Sequence, residues 1–142
     1  MANFPVNMAI RWFGSKVPTS LMHLSDISQV TVLLDADAPD AEDAAKQVKA
    51  FFLGRGMQFI LVPVHQKGFV RVCRETQVLL SLIPGSNWKL EYAVRRSHAR
   101  FKIGRAQFPG EPFDLVVSDP EGTHYPQGEV FARMMELIEG LV

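Results

Sequence analysis

The sequence predicts an α/β fold: a three-layer α/β/α sandwich on a mainly parallel sheet of about five strands. Two features predict it. Short apolar runs rich in β-branched residues alternate with stretches of helical period. The runs are apolar throughout rather than at every second position, as in strands that helices cover on both faces.

The first such run is "QVTVLL" (29–34). A helix is expected from about Pro39 to Leu53, because Ala44, Ala45, Val48, Phe51 and Phe52 recur on one stripe while Glu42, Asp43, Lys46 and Lys49 fall largely off it. Glu42 and Lys46 are spaced for a favourable i, i+4 pair. "GRG" at 54–56 offers a left-handed cap. "MQFILVPV" (57–64) is the second strand, and its helical link to the first implies a parallel pair. The connection "HQKGFVRVCRE" (65–75) is short for a crossover helix and leaves room for an extra strand at Phe69–Cys73 or an irregular path. "QVLLSLI" (77–83) is the third strand. A helix then begins near Asn87 with Leu90, Ala93 and Val94 inward, followed by strands at "RFKIG" (100–104) and "FDLVVS" (113–118). "QGEVFARMMELIEGLV" closes the chain as a helix with Val130, Phe131, Met134, Leu137, Ile138 and Leu141 on one stripe. Numbering the five strands in sequence, the simplest order is 2-1-3-4-5, a flavodoxin- or Rossmann-like sheet. Residues 1–28 read as an N-terminal arm, with Trp12, Phe13, Leu21 and Leu24 either packed on the core or exposed as a partner-binding patch. Residues 29–142 form a single α/β domain.

A chain of 142 residues suits one such core. Its 47% hydrophobic and 21% charged residues are a globular balance, not a disordered one. Fifteen basic residues match fifteen acidic ones, so nucleic acid and anionic membranes are not expected partners, and little charge opposes self-association. A lone cysteine, Cys73, excludes an intrachain disulfide and fits a reducing, cytoplasmic setting. "MANFPVNMAIRWFG" lacks the basic and apolar regions of a signal peptide, and no run approaches the roughly 18 apolar residues of a membrane span.

In a parallel sheet the turns after the strands gather on one edge, where ligands of open α/β sheets bind. The residues expected there are Asp35, Asp37, His65, Ser86, Asn87, Arg105 and Asp119. Asp35 and Asp37 form a D-x-D that suits a metal or a nucleophilic carboxylate, as in a phosphatase-like hydrolase. Such enzymes need further groups, and here no matching lysine or second acidic pair is evident. The plainer role is helix initiation: Asp37 as N-cap, Pro39 in the first turn, and Asp40, Glu42 and Asp43 at the positive end of the dipole. "PGSN" (84–87) suits an anion cradle or simply a turn and cap. Arg105 suits a phosphate or carboxylate, or simple solvation. Cys73, between Arg71 and Arg74, is a candidate activated thiol or a small buried hydrophobe. The four histidines lack metal-ligand spacing, and dinucleotide, P-loop and nucleophile-elbow motifs are absent. No catalytic residue, metal or cofactor is assigned.

Three segments together, "VTVLLDADAPDAEDAAKQVKAFFLGRGMQFILVPV", "VLLSLIPGSNWKLEYAVRRSHARFKIGRA" and "FDLVVSD", resemble a family of small uncharacterised bacterial proteins sharing a Rossmann-like domain of unknown function. The likeness runs in order over 29–141 and is most specific at "ARFKIGRA" (99–106); the 65–77 link is shorter than the family pattern. The middle segment is also faintly similar to the N-terminal half of heptosyltransferases, which implies an acceptor-side-like half without the donor-binding domain. Neither resemblance transfers a catalytic residue. The expected function is a non-enzymatic or accessory domain that self-associates or binds a protein partner. The alternatives are a small-molecule, nucleotide or sugar-nucleotide site at the sheet edge, and then a hydrolase using Asp35 and Asp37.

Overall fold

The computed structural model of the chain describes residues 9–13, 29–65, 70–72, 74–85, 88–120 and 122–141. Among them the elements run β1 (Ala9–Trp12), β2 (Val30–Asp35), α1 (Ala41–Gly54), β3 (Phe59–Val64), β4 (Val78–Ser81), α2 (Trp88–Arg96), β5 (Phe101–Gly104), β6 (Leu115–Ser118) and α3 (Gln127–Leu141).

The sheet corrects the expected five-stranded 2-1-3-4-5 arrangement. It has six strands in the order β1-β6-β5-β4-β2-β3 and is mixed, because β1 pairs antiparallel with β6, Ala9 opposite Ser118 and Trp12 opposite Leu115. The physical reason is the open edge of β6. An unpaired edge exposes a row of N–H and C=O groups, and β1 covers it. Phe13 N–H continues the ladder to the Asp114 carbonyl at 2.9 Å. The other neighbours are parallel: β2 with β3, β2 with β4, β4 with β5 and β5 with β6.

Alternation along the strands divides the core in two. Val30, Val32 and Leu34 of β2 and Val78 and Leu80 of β4 face α1 and α3. Leu33 and Leu79 face the other side, where Leu90 and Val94 of α2 meet them. On the first side Phe52 is fully buried between Phe59, stacked at 5.1 Å, and Phe131, edge-on at 5.5 Å. Burying such a ring contributes roughly 1.5–3 kcal/mol. Ile10 joins this cluster and Phe13 the other, while Trp12 is 45% exposed and tilted against Phe101. Leu21 and Leu24 lie outside the described residues.

Helix α1 stops as its sequence dictates. Gly56 sits at φ +63°, Met57 N–H reaches the Phe52 carbonyl and Gly56 N–H the Leu53 carbonyl, the double bond of a Schellman cap. Its start differs from expectation: the N-cap is Asp40, not Asp37, and the helix begins at Ala41. Described residues 70–72 form no strand, while Phe69 and Cys73 lie outside the described set. Among the described residues no helix is long and apolar enough to cross a membrane.

Candidate functional site

Four parallel strands deliver Asp35, His65, Arg105 and Asp119 to the same edge of the sheet. There the 124–127 segment ties them together. Gln127, the first residue of α3 and 2% exposed, is the centre. Its side-chain oxygen accepts Asp35 N–H at 2.7 Å, and its amide nitrogen donates to the Asp35 carbonyl at 3.1 Å. The same nitrogen donates to Asp40 Oδ1 at 2.9 Å, and Gln127 N–H donates to Asp40 Oδ2 at 2.8 Å. Asp40 thus makes no side-chain cap on its own helix and caps α3 instead. Burial works to raise its pKa. The Gln127 hydrogen bonds, helped by the charge of Arg105, overcome this and hold the carboxyl below its usual range.

Arg105 forms the second half of this lock. Its side chain is 1% exposed. Nε and Nη2 donate to Asp119 Oδ2 at 3.2 and 2.7 Å, Nη2 also to the Tyr125 carbonyl, and Nη1 to the Leu82 carbonyl at 3.4 Å. Asp119 Oδ1 accepts Tyr125 N–H at 3.4 Å, and His124 Nδ1 lies 3.6 Å from Oδ2. A buried guanidinium must be matched in this way, since an unpaired one is costly. Arg105 therefore fastens the ends of β4, β5 and β6 to the loop before α3.

Asp35 and Asp37 are arranged as a turn. Asp35 Oδ1 accepts Asp37 N–H at 3.3 Å, and Asp37 Oδ1 faces exposed His65 Nδ1 at 3.0 Å. The edge thus brings together Asp35, Asp37 and His65 in one group and Arg105 and Asp119 in another, with Gln127 and Tyr125 between. Ser86 and Asn87 lie outside the described residues. Among the described residues no group of three His, Cys, Asp or Glu is placed to hold a metal ion. The carboxylates and the guanidinium at this edge are engaged with each other, with the Gln127 and His65 side chains and with backbone, which fastens the loops together.

A second site lies on the α2 side. A cavity of about 440 Å3 is lined by Val70, Arg71, Val72, Arg74, Tyr92, Ala93, Arg96, Ser97 and His98. Val70 and Val72 pack onto the α2-side core, and Arg71 between them is exposed. Ala93 is buried, while Arg71, Arg74, Tyr92, Arg96 and His98 are exposed. Arg96 Nη1 donates to the Tyr92 hydroxyl at 2.6 Å. Among the described residues, the ion pairs of this region join Arg95 to Glu91 and leave Arg71, Arg74 and Arg96 to the cavity. Among the described residues no carboxylate lines it.

The negative end of α2 points this way, and three guanidiniums outweigh its half-charge. Lys102 also helps. Its Nζ donates to the Val94 carbonyl at 2.7 Å. Burial, partly offset by Asp114, pushes its pKa down. The arginines were missed as a set by sequence reasoning, which saw Arg71 and Arg74 only as neighbours of Cys73. Two pairs of basic residues some twenty positions apart become one site only through the fold.

No family model matches the chain, and no match to it is found among curated proteins or solved structures.

Proposed function

We propose that this chain is an accessory, non-catalytic α/β domain that binds an anionic ligand in the arginine-lined cavity beside α2. One observation carries the reading. In a chain with no net charge, three arginines and a histidine converge on a ligand-sized cavity that no acid among the described residues lines. Guanidiniums are suited to phosphate and carboxylate groups, which they bind through paired N–H donors. The sheet edge supports a ligand role less well, because Arg105, Asp119 and Asp40 are already partnered.

A thermal-shift series with phosphate, pyrophosphate, tripolyphosphate and citrate tests this, since a ligand that binds only the folded state raises its melting temperature. The expected result is a rise that grows with ligand charge and is absent in Arg71→Ala/Arg96→Ala. Equal shifts in both proteins would place the anion elsewhere.

A second reading, self-association, has its own support. Between α1 and α3 lies a cavity of about 470 Å3 whose apolar floor of Phe51, Phe131, Ala132 and Gly128 is bordered by Gln47, Arg55, Glu136 and Glu139. Arg55 lies over the Phe51 ring at 3.7 Å and pairs with Glu139 at 3.2 Å. Light scattering on Phe51→Glu beside the unaltered chain tests whether this groove joins two copies: the reading requires a dimer that the substitution dissociates.

A further inference from the structure

The outer face of α2 carries a feature that anion binding alone does not use. Trp88 is 69% exposed and Tyr92 is 56% exposed. They lie one helical turn apart, and Arg96 lies one turn further on the same face. Each ring has a cation beside it. Lys89 Nζ is 5.7 Å from the Trp88 ring, and the Arg96 guanidinium is 5.4 Å from the Tyr92 ring. Tyr92 and Arg96 line the cavity, so the row passes from a flat apolar face into the arginine cluster without a break.

We infer that the ligand of this cavity is a nucleotide, with its phosphates held by Arg71, Arg74 and Arg96 and its base stacked on the Trp88–Tyr92 face. The inference rests on the anion-binding reading above and adds the ring. Three observations favour a base over a simple polyanion. First, two large aromatic side chains stand in solvent on the one helix face that leads into the cationic site, whereas nine of the twelve described aromatic rings are buried or partly buried. Second, the row from position 88 to position 96 is about 12 Å long at the helical rise, enough to separate a stacked ring from a phosphate group. Third, a cavity of about 440 Å3 is in the size range of small-molecule sites and holds one nucleotide rather than a folded partner. The exposed rings offer stacking without base-edge hydrogen bonding, so discrimination among bases is expected to be weak. Arg96 has two roles here: it holds the Tyr92 hydroxyl and presents its remaining N–H groups to the phosphates.

The test is calorimetric titration of the full chain with inorganic tripolyphosphate, with ATP, GTP and CTP, and with a short oligothymidylate. Trp88 fluorescence is followed in parallel in a Trp12→Phe background. The expected result is that tripolyphosphate binds, that each nucleoside triphosphate binds about ten-fold more tightly, and that only the nucleotides quench Trp88. Trp88→Ala should bring nucleotide affinity down to that of tripolyphosphate, and Trp88→Phe should restore most of the difference. If nucleotides bind no better than tripolyphosphate, the ring assignment falls and the anion site stands. If neither binds, both fall. If the oligothymidylate binds and mononucleotides do not, the free nucleotide is the wrong ligand and a single strand takes its place.

Discussion

Asp40 begins one helix and caps another: as the N-cap of α1 it places both carboxylate oxygens on Gln127, at 2.8 Å from its backbone nitrogen and 2.9 Å from its side-chain nitrogen. The pair joins the start of α1 to the start of α3 and, through Gln127, to the end of β2. A turn that reads locally as a helix start is therefore a tertiary clamp.

Asp40→Ala should destabilise the fold by about 1–3 kcal/mol, because it leaves a buried glutamine and a helix N-terminus without their acceptor. Asp40→Asn keeps one acceptor and should cost less. The folded-state pKa of Asp40 lies below its unfolded value. The stabilisation is therefore present above about pH 4 and fades as pH falls through the folded pKa. Urea unfolding at pH 7 and pH 3 checks this: the gap between Asp40→Asn and the unaltered chain should be wider at pH 7.

Asp119→Asn should cost about 3 kcal/mol or more, since it leaves the buried guanidinium of Arg105 without its counter-charge. Arg105→Lys should be nearly as damaging. One ammonium cannot reach Asp119, the Tyr125 carbonyl and the Leu82 carbonyl together. Denaturant midpoints measure both. A loss under 1 kcal/mol in either variant would mean the lock is not structural.

Two glycines make a contrast. A methyl group at Gly104 would run into the ring of Phe113, which is 1% exposed and has nowhere to move. A methyl group at Gly128 would run first into the side chain of Gln47, which is exposed and can swing away. Gly104→Ala should therefore cost about 1–3 kcal/mol by overpacking, and Gly128→Ala should be close to neutral. Thermal melts of the two variants should rank in that order.

The anion site should be sensitive to salt. Its arginines are exposed, so their pull on a ligand is screened over about 8–10 Å at physiological ionic strength. Tripolyphosphate affinity should fall several-fold between about 50 and 300 mM sodium chloride, and a flat profile would argue against guanidinium contacts.

Local sequence carried the elements well where one residue type had one physical job. "VTVLL" reads as a strand because helices cover both of its faces, and Ala44, Val48 and Phe52 read as a helix face because all three are buried. Pairing was less legible. "MAIRWF" suits a short strand or a helical turn, but nothing within Ala9–Trp12 reveals that it will cover the edge of β6, more than a hundred residues away, so its antiparallel pairing as the sheet's sixth strand was not foreseen. The same limit explains the cap. Asp37 and Asp40 both suit a helix start locally, and the tie of Asp40 to Gln127, 87 residues away, has no local signature. At the sheet edge, Arg105 and Asp119 were legible as neighbours in space but not as partners. The arginine cavity had no local signature, because Arg71 and Arg96 meet only after β4 and α2 are in place.

The most direct measurement is a map of backbone amide shifts as the 15N-labelled chain is titrated with inorganic tripolyphosphate. The account predicts saturable shifts at residues 70–74 and 92–98, with Asp35, Asp37, Arg105 and Asp119 unmoved. Shifts centred on the sheet edge instead, or none at millimolar ligand, would contradict it.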